Sequence, residues 1–465
     1  MRAAAAVLTA LALAACDDAA EDAARFRSPA GPVPATAQRP GDPEAGRVAL
    51  LNAPYVGCGV PYAAWARMAP SVDPADILPG REGRNAELPY AFTAHVNADG
   101  VEVVSSNCLT CHAERLEGEL VIGLGAAFAD FTQDPRRFAT AAGAWVRGEA
   151  ETAAWRRWAD RLEGIAPYIR TRTVGVNPAT NLTWALMAHR DPETMAWSPT
   201  PLIEPPQADP IPVKVPPWWG MARKNAMFHT TIGRGDHARF MLLASMLCAD
   251  TLEEVAAVDA YAPDIRAYIA SLTPPRYPWP VDAALAARGR SVFGDRCARC
   301  HGTYGDNAFY PNEVYPLEVV GTDPEYAMAA TDGRRDRFYA WVDRSPFGQG
   351  VTPAPARGYI APPLDGVWAT APYLHNGSVP DMAALLDTRL RPKFWRHAQP
   401  RAYDPERLGW RHERLEAGQD AAPGAAERAR IYDTTLTGYG AGGHDYGDAL
   451  TEAERAALME YLKTL

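Results

Sequence analysis

Cysteine occurs seven times in 465 residues, and four of the seven fall in two copies of one five-residue pattern: Cys108-Leu109-Thr110-Cys111-His112 and Cys297-Ala298-Arg299-Cys300-His301. Two thiols three positions apart on one helical turn reach the two vinyl groups of a porphyrin and aim the adjacent histidine at its iron. With this composition the pattern is expected by chance about 0.002 times per chain, so a pair is no accident. A thiol–disulfide redox pair has no use for the histidine, and a zinc site needs four ligands at spacings this chain does not supply. The motifs therefore predict two covalently bound haem c groups. Cys108, Cys111, Cys297 and Cys300 attach them, and His112 and His301 are the iron ligands.

Haem of this type is attached outside the cytoplasm, where free thiols oxidise, and the amino terminus agrees. Met1-Arg2 precedes an apolar run over residues 3–15, too short for the roughly 20 residues of a membrane span, so it reads as a signal peptide. It ends in Leu13-Ala14-Ala15-Cys16, which resembles a bacterial lipobox and predicts cleavage before Cys16 and lipidation there. Ordinary cleavage at an Ala-x-Ala site is the alternative. Residues 16–41, rich in Ala, Asp and Pro and without hydrophobic periodicity, read as a flexible tether. The expected location is the periplasmic side of a bacterial membrane, held through lipid on Cys16. A net charge of −10, with both signs mixed along the chain, leaves no phosphate-binding face and excludes nucleic acid as an expected partner. Cys58 and Cys248 remain, compatible with a disulfide or with two buried thiols.

The length exceeds the roughly 250–300 residues of a single core, and the 47% hydrophobic content supports more than one. The 42 prolines, roughly twice ordinary usage, predict many rigid loops. The second motif follows a helical pattern over residues 285–293 in which Gly289 permits close backbone approach. A closing helix is expected after Thr451, with Glu454 at the capping-box position. The first half repeats the scheme with helices over 43–51 and 262–272. Thr273-Pro274-Pro275-Arg276-Tyr277-Pro278-Trp279-Pro280 reads as a stiff linker. The expected fold is mainly α, with two cytochrome c-like domains, residues 42–275 and 281–465, carrying long loop-rich insertions.

The stretch from Gly366 to Pro380, containing Ala371-Pro372-Tyr373-Leu374-His375-Asn376-Gly377-Ser378-Val379, resembles the signature of bacterial dihaem cytochrome c peroxidases and their relatives, among them the methylamine dehydrogenase maturase and the rubber oxygenases. Further segments are similar to the rubber-oxygenase branch: Cys58-Gly59-Val60-Pro61-Tyr62, Gly123-Leu124-Gly125, Gly233-Arg234-Gly235-Asp236 and Gly442-Gly443-His444-Asp445-Tyr446-Gly447. The likeness extends over nearly all of the chain beyond the leader.

What each iron can do depends on the residue opposite its histidine. The peroxidases carry a methionine fourteen residues beyond the signature histidine; here that position is Arg389, which cannot ligate iron. The rubber-oxygenase relatives use a histidine near the carboxyl terminus, which the resemblance places at His444, with Met382 and His375 as fallbacks. The second haem is thus expected to be His301/His444 ligated and to transfer electrons. The peroxidases' distal histidine, sixteen residues past His112, falls at Phe128, so an apolar distal pocket suited to dioxygen is expected at the first haem. Its wall is assigned to the segment from Trp218 to His237, with Trp219, His229, Arg234 and His237 as candidate catalytic residues and Asp236 as the cap of a following helix. An indole relay between the haems has candidates in Trp184, Trp197, Trp218, Trp219, Trp279, Trp341 and Trp368.

The function expected on these grounds is a dihaem oxidoreductase. Its first haem activates dioxygen or hydrogen peroxide, and its second exchanges electrons with a donor or acceptor protein or a quinol pathway. Peroxidase action and a non-enzymatic electron-carrying lipoprotein are the alternatives.

Overall fold

The computed structural model describes residues 29–68 and 72–465, so the expected signal peptide and Cys16 lie outside it. About 41% of the chain is helical, and the strands are short, two to five residues each. Among the described residues no helix is long and apolar enough to cross a membrane.

One arrangement occurs twice. Helix Pro43–Asn52, started by Pro43 and capped by the Asp42 side chain on the amides of Glu44 and Ala45, crosses helix Ala262–Ser271. Helix Ala283–Arg296, capped by Asp282, crosses helix Glu452–Leu462, which Thr451 and Glu454 start with a reciprocal capping box. A glycine makes each crossing possible. A Cβ on Gly46 would lie 1.8 Å from the Asp264 carbonyl oxygen, and one on Gly289 would lie 1.9 Å from that of Ala457. Each pair brackets one Cys-x-x-Cys-His motif, as the hydrophobic pattern predicts.

The halves do not pack as separate bodies. One core joins Leu124, Phe128 and Trp219 to Val367, Trp368, Tyr403 and Leu458. Another joins Ile165, Trp184 and Met246 to Phe338, Trp341 and Phe347. Strand Gly233–Gly235 pairs antiparallel with Val351–Pro353. The expected boundary at 275–281 therefore divides the sequence but not the packing. The proline-rich linker is no free spacer either, because Trp279 stacks on Tyr403 at 5.2 Å and Tyr277 meets Trp368 edge-on at 5.2 Å.

The expected tether is also corrected from residue 31 onward. Gly31 and Pro32 extend the edge of strand Glu313–Pro316, and Val33 is buried. Gln38 donates to the Gly235 carbonyl at 2.7 Å and accepts from the His237 amide at 2.9 Å. Arg39 pairs with Asp236 and Asp259. Composition suggested disorder, but an open strand edge and two carboxylates elsewhere in the chain give this strap its partners. Cys58 and Cys248, left open by the sequence, form a disulfide with Cα atoms 5.7 Å apart across 190 residues.

Candidate functional site

The first motif forms the one-turn helix Leu109–His112. Asn107 fixes its start: its side-chain oxygen accepts from the Leu109 amide at 2.9 Å, and its amide donates to the Tyr90 carbonyl and to Thr93. Leu109 is fully buried as the anchor. The His112 ring stacks on Trp218, centroids 4.4 Å apart and 18° from parallel. Its Nδ1 is buried without a partner, and burial lowers the imidazole pKa to about 3. The ring therefore stays neutral at physiological pH, the form that binds metal.

The second motif, helix Ala298–His301, ends at Gly302 with φ +79°, where a Cβ would meet the Phe309 carbonyl at 2.0 Å. Nδ1 of His301 donates to the Pro362 carbonyl at 2.8 Å. Such a bond fixes the tautomer and leaves Nε2 free as a ligand. The His444 ring lies opposite, its centroid 6.2 Å from that of His301 and the planes 65° apart. An imidazole nitrogen binds a metal at about 2.0–2.1 Å, which puts its ring centre about 3 Å from the ion, so two imidazoles sharing one ion stand about 6 Å apart. Met382 is packed in the core, and His375 stacks on Tyr359 at 4.1 Å.

His444 is delivered by a tightly held loop. Its φ of 45° and that of Gly443, 67°, turn the chain back, and a Cβ on Gly443 would lie 2.1 Å from the Gly321 carbonyl carbon. The His444 amide donates to Val320 at 2.8 Å. Arg391 donates to the carbonyls of Ala441 and Gly443, each at 2.6 Å, and of His444 at 3.0 Å. Asn376, in the signature segment, donates to the carbonyls of Gly438 and Gly440, both at 2.9 Å. The signature thus braces the loop that carries His444.

Burial pushes the Cys108 thiol up to about 11, Cys111 to about 12 and Cys297 to about 11. A disulfide-exchanging pair needs the opposite shift. Among the described residues no group of three His, Cys, Asp or Glu side chains could hold a bare metal ion. Cysteine pairs on short turns, each followed by a neutral inward-facing imidazole, fit a covalently attached porphyrin.

The four candidate catalytic residues have different immediate partners. Trp219 is buried and donates to the Asp365 carbonyl at 2.7 Å, so its neighbour Trp218, rather than Trp219 itself, touches the first motif. Arg234 turns back onto Thr231. His229 and His237 both lie near Lys224, and Asp236 caps helix His237–Leu242 as expected. Phe128 packs on His397 at 4.5 Å and Trp410 at 4.9 Å, beneath the Arg401 guanidinium at 4.1 Å. The surroundings of Phe128 are thus not purely apolar, because the second half brings a histidine and an arginine to it. Trp218, expected in the wall of the first haem, lies on His112 itself; the clamp of Arg391 and the roles of Lys214 and Lys224 were not among the expectations. Only Trp218 carried a local signal, the tandem indole.

Residues 358–396 match a family model described as RoxA-like, cytochrome c-like. The matched segment contains the signature and Arg391. The chain is 34% identical over 242 residues to the uncharacterized protein y4iM of Sinorhizobium fredii (strain NBRC 101917 / NGR234), covering 42% of this chain and 52% of the relative. It is 30% identical over 292 residues to the uncharacterized protein y4iJ of the same organism, covering 48% and 47%. The chain spans about half the length of these curated relatives. A cytochrome c-like region implies covalently bound haem c and a haem-containing redox protein.

Proposed function

We propose that this chain is a dihaem c-type cytochrome oxidoreductase. Cys108 and Cys111 would attach one haem, with His112 holding its iron. Cys297 and Cys300 would attach the other, whose iron His301 and His444 would hold. The observation that carries this reading is the 6.2 Å separation of the His301 and His444 rings, with His301 oriented by Pro362. An iron held by two imidazoles passes electrons, whereas one with a free position binds dioxygen or peroxide. The ring on His112 is that of Trp218, which is no ligand, and the position of the peroxidases' distal histidine is taken by Phe128. On these grounds we assign oxygen or peroxide activation to the first centre.

The protein's own contribution is positional. Pro362 holds the His301 tautomer, and Arg391 and Asn376 hold the His444 loop. We further propose export, lipid attachment through Cys16 to the outer face of the cytoplasmic membrane or to the outer membrane, and electron exchange with a carrier protein or quinol pathway.

Pyridine haemochrome analysis should give two haems per chain, and the reduced protein should bind one carbon monoxide per two haems. Failure to bind any carbon monoxide would sink the enzyme reading in favour of an electron carrier. Turnover with hydrogen peroxide and a small electron donor would assign the first centre to peroxidase rather than oxygenase chemistry.

A further inference from the structure

Between the two motifs the fold buries basic groups that lack acidic partners. Lys224 follows the 3-10 helix Trp218–Arg223, whose first ring stacks on His112. The His229 carbonyl accepts from the Ile360 amide, two residues before the Pro362 carbonyl that orients His301. The His229 ring stands beside His375, Lys224 and Lys214, and His237 stands beside Arg266, Lys224 and the Asn225 backbone, with Asp236 its acidic neighbour. Lys214 donates to the carbonyls of Thr370 and Pro372 and lies 5.7 Å from the Tyr373 ring centre, with no carboxylate among these partners. No acidic side chain acts on either lysine, and burial alone brings Lys214 down to about 7 and Lys224 to about 8. Asp236, the acid near Arg266, is taken by Arg39 at 2.5 Å. Nε2 of His229, Nε2 of His375 and both ring nitrogens of His237 are buried without a hydrogen-bond partner.

Uncompensated charges and unpaired donors are among the costliest things a protein interior can hold. Such a cluster calls for an anion. The ring centroids of His229 and His375 are 6.2 Å apart, a spacing that would suit a metal cation, but flanking ammonium groups repel one. The anion must also reach a place enclosed by both halves of the chain. Each haem c carries two propionate carboxylates, and a haem held at either motif would bring such carboxylates into the interior of the fold.

We propose that Lys224, flanked by His229 and His237, is the seat of a haem propionate carboxylate. This rests on the haem reading above. It gives His229 and His237 the task of donating N–H groups to a carboxylate, a charge-assisted bond, instead of moving protons for catalysis.

The test compares Lys224→Met and Lys224→Arg with wild type and with the exposed Lys393→Met as control, using holoprotein from a host competent for cytochrome maturation. Resonance Raman spectra report the propionate bending bands, and spectroelectrochemical titration reports the midpoint potentials. Lys224→Met should shift the propionate bands and lower the potential of one haem, because loss of a positive charge favours the ferric state. Lys224→Arg should restore both, and Lys393→Met should change neither. Should Lys224→Met fail to accumulate, Lys224→Gln is read by the same criteria. Haemochrome at the wild-type level with unmoved bands and potentials in Lys224→Met overturns the proposal alone. Absence of haemochrome from the wild-type protein overturns the haem reading and this proposal with it.

Discussion

The guanidinium of Arg391 reaches the backbone carbonyl of His444 at 3.0 Å while also holding the carbonyls of Ala441 and Gly443. A half-buried side chain thus fixes the backbone of a candidate iron ligand through its carbonyl rather than its ring.

Replacing Arg391 by Met should loosen that loop. Five charge-assisted bonds are lost, to the carbonyls of Ala384, Leu385, Ala441, Gly443 and His444, and partial re-solvation of the carbonyls leaves a net destabilisation of about 2–3 kcal/mol, measurable by denaturant unfolding. The ferric spectrum should gain a high-spin component as His444 leaves the iron. A variant that is destabilised yet fully low-spin at the second haem would separate Arg391 from ligand positioning.

His444→Ala should raise carbon monoxide binding from one to two per chain after reduction, and His375→Ala should leave it at one. The reverse outcome would move the second ligand to the signature histidine, which the geometry places against Tyr359 instead.

The two glycine crossings give a stability test with an internal control. Gly46→Ala and Gly289→Ala drive a methyl group into opposing backbone and should each cost at least about 1–3 kcal/mol. Gly294 lies in the same helix as Gly289, and a Cβ added there would meet no atom within 4 Å. Gly294→Ala should therefore stabilise the protein by about 0.5–1 kcal/mol, read as a rise in melting temperature.

Removing the Cys58–Cys248 disulfide with a double serine substitution should cost about 2–4 kcal/mol, because the bridge closes a long loop of the unfolded chain. Thermal unfolding with and without reductant checks this: reductant should lower the wild-type transition and leave the double variant unmoved.

The strap over residues 31–39 should be sensitive to acid. Burial alone would raise the Asp259 carboxyl, but the guanidiniums of Arg239 and Arg39 outweigh it and hold it below 3.8. A depressed carboxylate contributes stability above its unfolded value, and that contribution is lost as pH falls through the folded one. Limited proteolysis near Arg39 should accelerate below about pH 4, and Asp259→Asn should show the faster cleavage already at neutral pH.

What could be read from the sequence was local. The Cys-x-x-Cys-His turns and the Thr451–Glu454 capping box depend on residues a few positions apart, and the structure has both; Gly289 marked a close helix crossing by its residue type, although its partner Ala457 is distant in the chain. The partners of Arg391, the stacking of Trp218 on His112 and the burial of Lys224 depend on segments brought together from 50 to more than 100 residues away, and no periodicity encodes them. The strap failed as a sequence expectation for the same reason: Ala- and Pro-rich residues carry no hydrophobic pattern, yet Gly31 and Arg39 find partners near positions 314, 236 and 259.

The interleaved cores have a consequence for biogenesis. Val367, Trp368 and Tyr403 help wall in Leu124 and Trp219, and Phe338 and Trp341 do the same for Trp184, so neither half is a cassette that could be excised and still shield its own pigment. On the proposed reading, a porphyrin would have to be joined to each cysteine pair while the polypeptide is still open, and a lesion at either pair would leave the shared interior half assembled.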